Sequence, residues 1–354
     1  MINTEDMMKT KYAVITSKET CEIRFEEVLP ENLGNQDLLV SARYSMISAG
    51  TELAGFSALS PGVYQKGAWN AYPWRSGYGL VGKAEKIGED VHHIKEGERV
   101  FCFGNHAQRQ IWPLAKFMEN STYSAFPVHN DLDDQTLTAS RMALVAVTAP
   151  QVSGVELGDT VAVFGLGMVG NIAAQYYQHL GARVIAFDTS AMRCQKARQV
   201  GLEEVFDVSP QEQVQLVQDL TSGHGANITV DAVGSSAVVL NCVMATARYG
   251  KIVLLGTPRA EVTGNLTELL RPVHMRCLQI LGAFEWRVPA YDQVGVAHSI
   301  ESNLKMIWEL IQKGKLNVMD LITHVVRPED MQSAYMGLLN DKERYLGVLV
   351  DWRE

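Results

Sequence analysis

The sequence predicts an α/β protein of two domains, in which a doubly wound parallel sheet is inserted into a mostly β domain built from both ends of the chain. Three observations predict it. From Thr160 to Phe284 short apolar runs alternate with stretches of helical spacing. The first 150 residues instead read as short β runs punctuated by Gly, Pro and Asp. After Pro289 come an amphipathic helix, a short strand, a further helix and a closing strand. The domains are therefore expected at 1–150 with 290–354, and at 151–289.

In the first part, strands are expected over 12–16, 37–44, 79–87 and 99–103, with a switch to helical apolar spacing over 139–153. Gly158-Asp159 breaks that helix, and VAVFG (161–165) reads as a buried strand. A helix to Gly181, a strand over 182–188, a second helix and a strand at EVFDV follow. The block closes with a helix at 210–221 and strands at 228–234, 251–257 and 278–284. The last part predicts a helix over 302–313, a strand near 322–326, a helix from about Pro328 and the strand YLGVLVD.

Composition narrows the function classes. Of 354 residues 47% are hydrophobic and 20% charged, which is a folded composition. A net charge of −9 repels phosphate backbones and anionic lipid, so neither nucleic acid nor a membrane surface is an expected partner. The acidic start MINTEDMMKTKYAV is unlike a signal peptide, and no run approaches the roughly 18 apolar residues of a membrane span; a cytoplasmic protein is expected. The cysteines Cys21, Cys102, Cys194, Cys242 and Cys277 are scattered, which suits reduced thiols and excludes local Cys-x-x-Cys knuckles.

The chemistry is carried by Gly165-Leu-Gly167-Met168-Val169-Gly170, a glycine loop directly after an apolar strand and opening a helix without an acid in its first turn. Glycines allow a tight turn and close approach of a pyrophosphate, and the helix amino terminus offers unpaired N–H groups to it. The next strand ends at Asp188, about 18 residues past Gly170, where a carboxylate holds both ribose hydroxyls and repels a 2′-phosphate. This predicts a Rossmann dinucleotide site for NAD, with Arg193 as the neighbour that tempers the preference and Val233 and Gly256 as further cofactor contacts. Asp188 as a mere cap of the helix that follows it is the structural alternative.

Beyond the glycine loop, Ile47-Ser-Ala-Gly-Thr-Glu52, Gly77-Tyr-Gly-Leu-Val-Gly82 and Leu321-Ile-Thr-His with Arg327-Pro-Glu-Asp stand in an order that resembles the medium-chain dehydrogenase/reductase superfamily, over nearly the whole chain. That superfamily includes zinc alcohol and sorbitol dehydrogenases. The resemblance implies a GroES-like catalytic domain around the Rossmann domain. It also implies a homodimer or homotetramer, with strand 278–284 pairing across a two-fold axis. The pairing of Gly-Thr-Glu with Gly-Tyr is similar to sequences grouped with glucoside 3-dehydrogenases and bacteriochlorophyllide dehydrogenase.

The positions that ligate catalytic zinc in that family read Ala49, Tyr78 and Arg141, with Gly79 where an acid adjoins the histidine, and the lobe of four cysteines is absent. Alanine donates nothing and arginine is a permanent cation, so no metal is expected. Something else must handle the proton and the developing alkoxide. The resemblance brings Tyr78 and Arg141 together, and the expected roles are proton exchange by Tyr78, with Arg141 either making it more acidic or stabilising the oxyanion. Thr51 falls on the family's relay hydroxyl, and Glu52 is expected to anchor Arg141. The structural alternatives are a core tyrosine, an Arg141–Glu52 ion pair filling the metal's void, and a backbone-capping Thr51.

Tyr64, Trp69, Tyr72 and Trp74 in the loop 56–74, and Glu285-Trp286-Arg287 at the last strand's end, are candidates to face a polyhydroxy substrate; packing of the small domain is the alternative for each aromatic. The sequence thus predicts an NAD-dependent, zinc-independent alcohol or polyol dehydrogenase acting on a small molecule. Two alternatives stand beside it: a zinc-free reductase of quinones and activated C=C bonds, and a non-catalytic dinucleotide-binding protein.

Overall fold

The computed structural model describes residues 8–114 and 123–353. The chain opens with an antiparallel hairpin, β1 (Met8–Ser17) and β2 (Thr20–Val28). After β3 (Asp37–Met46) and α1 (Ala49–Phe56) come β4 (Leu80–Ile87), β5 (Arg99–Cys102), β6 (Arg109–Pro113) and β7 (Ala125–Pro127). Sequence reading misses β2, β6 and β7. β2 is mostly polar and is fixed by its hairpin with β1, whereas β6 and β7 are short and are defined by pairing to distant partners, β3 and β5.

The apolar stretch 139–153 lies in two helices, α2 (Asp134–Ala146) and α3 (Thr148–Ser153). α2 starts earlier than its apolar spacing suggests because Asp133 caps it, accepting the N–H groups of Gln135 and Thr136 at 2.9 and 3.0 Å. Most of α2 is buried, Arg141 included.

From β8 (Thr160–Phe164) the chain alternates: α4 (Met168–His179), β9 (Arg183–Asp188), α5 (Ala191–Gln199), β10 (Glu204–Asp207), α6 (Pro210–Leu220) and β11 (Ala226–Asp231). It continues with α7 (Ser236–Ala245), β12 (Thr246–Leu254), α8 (Leu266–Arg276) and β13 (Gln279–Gly282). The strands form one parallel sheet in the order β10-β9-β8-β11-β12-β13. The order reverses between β8 and β11, and open parallel sheets bind ligands outside the strands' carboxyl ends at such a point. Val161, Ala162 and Val163 are fully buried, as a strand covered on both faces requires. Sequence reading also misses α7 and α8; α8 contains Pro272 and fully buries no residue, meeting the core only through the partly buried Leu269 and Val273.

The chain ends with α9 (Ile300–Gln312), β14 (Ile322–Val326), α10 (Met331–Asn340) and β15 (Gly347–Asp351). β15 pairs antiparallel with β3, and the second sheet runs β14-β15-β3-β4-β5-β7 with β6 also on β3. Strands from both ends of the chain therefore share one sheet, and the parallel sheet lies between them in sequence. Among the described residues no helix is long and apolar enough to cross a membrane.

Candidate active site

One cleft, with a volume of about 1740 Å³, takes its walls from both sheets. Ser48, Thr51 and Tyr78 line it from the β3–β4 side, and Gly167, Asp188 and Glu285 from the parallel sheet. Gly165, Met168, Val169, Gly170, Arg193, Val233 and Gly256 also line it.

The three loop glycines are needed for different reasons. Gly165 has φ +99°, and a side-chain carbon there would lie 2.7 Å from Val233 Cγ2. At Gly170 such a carbon would lie 2.0 Å from Gly165 O, so helix and strand close on each other here. Gly167, the N-cap of α4, has an ordinary φ of −59° and nothing within 4 Å of where its Cβ would be. Internal packing does not explain that glycine, whereas a ligand approaching the backbone does. Gly256 is explained by packing, since a carbon on it would meet Gly234 N at 2.3 Å. Val233 is held by Asp231, whose Oδ1 accepts the N–H groups of Val233 and Gly234 at 2.9 and 3.0 Å.

Asp188 ends β9 with its carboxylate already engaged. Oδ2 accepts Leu166 N–H at 2.7 Å and Oδ1 accepts Ser190 N–H at 2.9 Å. Arg193 Nη1 stands 3.6 Å from Oδ2. The acid thus ties the glycine loop to the start of α5 and sits with a guanidinium beside it.

Tyr78 and Arg141 come together. The Arg141 guanidinium lies under the Tyr78 ring, 4.4 Å from its centroid, and its Nε donates to Tyr78 O at 2.9 Å. The expectation that Glu52 anchors Arg141 is corrected: the partner is Glu285, in a two-pronged pair at 2.7 and 2.8 Å. Burial pulls the Arg141 pKa down, and the Glu285 carboxylate more than offsets it. Gly79 makes the room, because a side-chain carbon there would lie 2.6 Å from Arg141 Cγ.

The expectation that Arg141 leaves Tyr78 acidic is also corrected. Burial raises the Tyr78 pKa, Arg141 only opposes it, and the net shift is upward. The phenol is therefore neutral at pH 7. Its hydroxyl is bonded to Ser48 Oγ and lies 3.4 Å from Thr51 Oγ1.

Glu52 is fully buried on α1, away from Arg141, because three other groups claim it. Oε1 accepts Ser48 N–H at 2.8 Å, and Oε2 accepts the Tyr335 hydroxyl at 2.5 Å and stands 2.9 Å from His106 Nε2. His106 Nδ1 lies 2.7 Å from Ser45 Oγ, which takes Trp352 Nε1–H at 2.8 Å. This network pins Ser48 from below while Tyr78 meets its hydroxyl from above. Ser48, His106 and Tyr335 of this network, and Arg259, which also lines the cleft, are residues that sequence reading misses. Ser48 lies inside the Ile47–Glu52 segment, a signal that was there to use; the others converge only on folding.

Of the candidate substrate-facing residues, Trp69, Trp74, Glu285 and Trp286 line the cleft, and Tyr64, Tyr72 and Arg287 do not. Trp69 is largely exposed and meets Trp74 edge to face at 5.2 Å, whereas the Tyr72 hydroxyl is spent on Gly55 O.

Residues 168–298 match the family model described as zinc-binding dehydrogenase. The chain is 23% identical over 303 residues to L-threonine 3-dehydrogenase of Paraburkholderia phytofirmans, covering 79% of this chain and 82% of that one. It is 25% identical over 324 residues to D-guloside 3-dehydrogenase of Shigella flexneri, covering 85% and 88%. An oxidoreductase/dehydrogenase of unknown specificity from Escherichia coli superposes with a TM-score of 0.79 at 19% identity, over 97% of this chain and 99% of that one.

The chain therefore carries a zinc-binding dehydrogenase domain over residues 168–298 and is similar to dehydrogenases over most of its length. It is an oxidoreductase of the alcohol-dehydrogenase type. The zinc in the name of its matching domain does not fit the residues of this cleft. Ala49 offers no donor, and the Arg141–Glu285 pair fills the space opened by Gly79 with a cation. Among the described residues no three His, Cys, Asp or Glu side chains converge as a metal site.

Proposed function

We propose that this protein is a medium-chain dehydrogenase/reductase that works without zinc, uses NAD, and moves a hydride between the nicotinamide and a secondary alcohol or ketone of a polar substrate such as a sugar, cyclitol or polyol. The observation that carries the reading is the Tyr78 hydroxyl, bonded to Ser48 Oγ in the same cleft as the open face of Gly167. The relatives named as threonine and guloside dehydrogenases support an alcohol-bearing small-molecule substrate. The reading takes residues 1–150 with 290–354 as the catalytic domain and 151–289 as the cofactor domain. It includes a homodimer or homotetramer in the cytoplasm, with the open edge of β13 as the seam.

Gly165, Gly167, Met168, Val169 and Gly170 would hold the dinucleotide's phosphates on the amino terminus of α4, Asp188 with Arg193 its adenosine ribose, and Val233 and Gly256 its nicotinamide half. Bound there, the nicotinamide supplies the hydride donor or acceptor. The chain's own task is the proton. In ketone reduction Tyr78 donates its hydroxyl proton to the substrate oxygen and is resupplied through Ser48 Oγ. In alcohol oxidation the phenol oxygen takes the substrate's proton and passes its own to Ser48. Thr51 is the second hydroxyl within reach, and Glu52 fixes Ser48 through its backbone. The buried Arg141 supports the Tyr78 ring and favours negative charge on its oxygen.

Two measurements test the reading. The purified enzyme is expected to hold no stoichiometric zinc and to keep its turnover of polyols or sugars in strong chelator; about one zinc per chain, with activity lost on its removal, would overturn zinc independence. NADH is expected to bind more tightly than NADPH, and Asp188→Asn, which keeps an acceptor for Leu166 N–H, narrows the gap by removing repulsion of the 2′-phosphate. Dissociation constants showing a wild-type preference for NADPH sink the NAD assignment.

A further inference from the structure

The loop after β12 carries a cation to the same cleft. Arg259 lines it, with Nη1 donating to Gly50 O at 2.9 Å and Nη2 to Thr51 Oγ1 at 3.4 Å. The same Thr51 hydroxyl lies 3.4 Å from the Tyr78 phenol. The guanidinium therefore stands one side chain from the proposed proton carrier.

The cleft's other charges are mostly matched. Arg75 is held by Glu26, Arg193 by Asp188, and Glu285 by Arg141. Lys342 forms no ion pair among the described residues, but it belongs to the Asp188 end, where its carbonyl meets Ser190 Oγ. Arg259, at the Tyr78 end, likewise forms no ion pair among the described residues. It is half-buried; burial depresses its pKa, and Tyr78 only partly restores it. A desolvated guanidinium without a counter-charge is costly, and in a chain of net charge −9 carboxylates are plentiful. That this cation faces the cleft unmatched indicates that the missing charge arrives with a ligand. A guanidinium presents paired N–H donors suited to carboxylate or phosphate oxygens.

We propose that Arg259 is the specificity residue for an acidic substrate, binding its carboxylate or phosphate and so setting a hydroxyl or carbonyl of that substrate against Tyr78. The proposal rests on the dehydrogenase reading and narrows its substrate class from neutral polyols to sugar acids and sugar phosphates. The cofactor's diphosphate shares this chemistry. The contact with Thr51, the hydroxyl shared with Tyr78, favours the substrate over the phosphates at the amino terminus of α4.

The test compares acidic and neutral members of matched pairs, gluconate with glucitol and glucose 6-phosphate with glucose, binding to the enzyme–NAD complex by calorimetry. The acidic member is expected to bind at least about tenfold more tightly in at least one pair, as a charge-assisted bidentate contact implies. Arg259→Gln is expected to abolish that preference, and Arg259→Lys to keep part of it. NADH affinity, measured on the same variants by nicotinamide fluorescence, is expected to stay within about twofold and reports that the variants are folded. Equal binding or no binding in every pair overturns the proposal, as does a preference that survives Arg259→Gln. A tenfold loss of NADH affinity in Arg259→Gln also overturns it, assigning the guanidinium to the cofactor's diphosphate. If the preference holds but the wild type turns over none of the four compounds with NAD or NADH, the anion site stands and the dehydrogenase reading falls.

Discussion

Replacing Tyr78 by phenylalanine is expected to lower kcat by about 10²- to 10⁴-fold, the usual contribution of a positioned proton donor, with the dissociation constant for NADH nearly unchanged. The ring stays, so its stacking on Arg141 and the bond from Arg141 Nε to Tyr78 O are preserved; only the hydroxyl that meets Ser48 and Thr51 is lost. The pH profile supplies a second readout. Burial holds the phenol pKa above its ordinary value of 10.0, so ketone reduction, which needs the protonated form, is expected to stay level through neutral pH and fall only above that value. Arg141 opposes the shift, so removing its charge moves that alkaline limb still higher. A Tyr78→Phe enzyme with near-wild-type kcat would transfer the proton step to Thr51 or Ser48.

The second large effect is on stability. Glu285→Ala leaves the Arg141 guanidinium buried without a counter-charge, its side chain only 1% exposed, and is expected to cost about 3–5 kcal/mol in urea unfolding. Arg141→Met combined with Glu285→Leu removes both charges and is expected to recover most of that loss, because apolar groups of similar volume replace a buried pair at little cost. Within the single variant, a loss under about 1 kcal/mol would show that the pair does not hold the guanidinium in place. The experiment also separates the two halves of the cleft. Glu285 lies at the end of the parallel sheet and Arg141 on α2, so their bond ties the cofactor-side wall to the helix beneath Tyr78.

The sequence by itself determined the parallel sheet and the loop that opens it. Strands buried on both faces read as continuous apolar runs, and the turn from β8 into α4 demands glycines at Gly165 and Gly170 that local spacing displays. Asp188 was singled out by its offset from the glycine loop, and Tyr78 by the resemblance of Gly77–Gly82 to a family segment. What the tertiary structure decided is which charges meet. Sequence reading joined Arg141 to Glu52, but Glu52 lies below Ser48 with His106 and Tyr335, and Arg141 reaches Glu285, which is 144 positions away. Ion-pair choice between distant segments leaves no periodic trace in the chain, since one buried guanidinium can take any carboxylate that packing delivers. The direction of the Tyr78 pKa shift was settled the same way. A neighbouring cation argues for a more acidic phenol, but desolvation depends on how many groups close over the hydroxyl, and only the folded packing of α1, β4 and α2 decides that burial outweighs the charge.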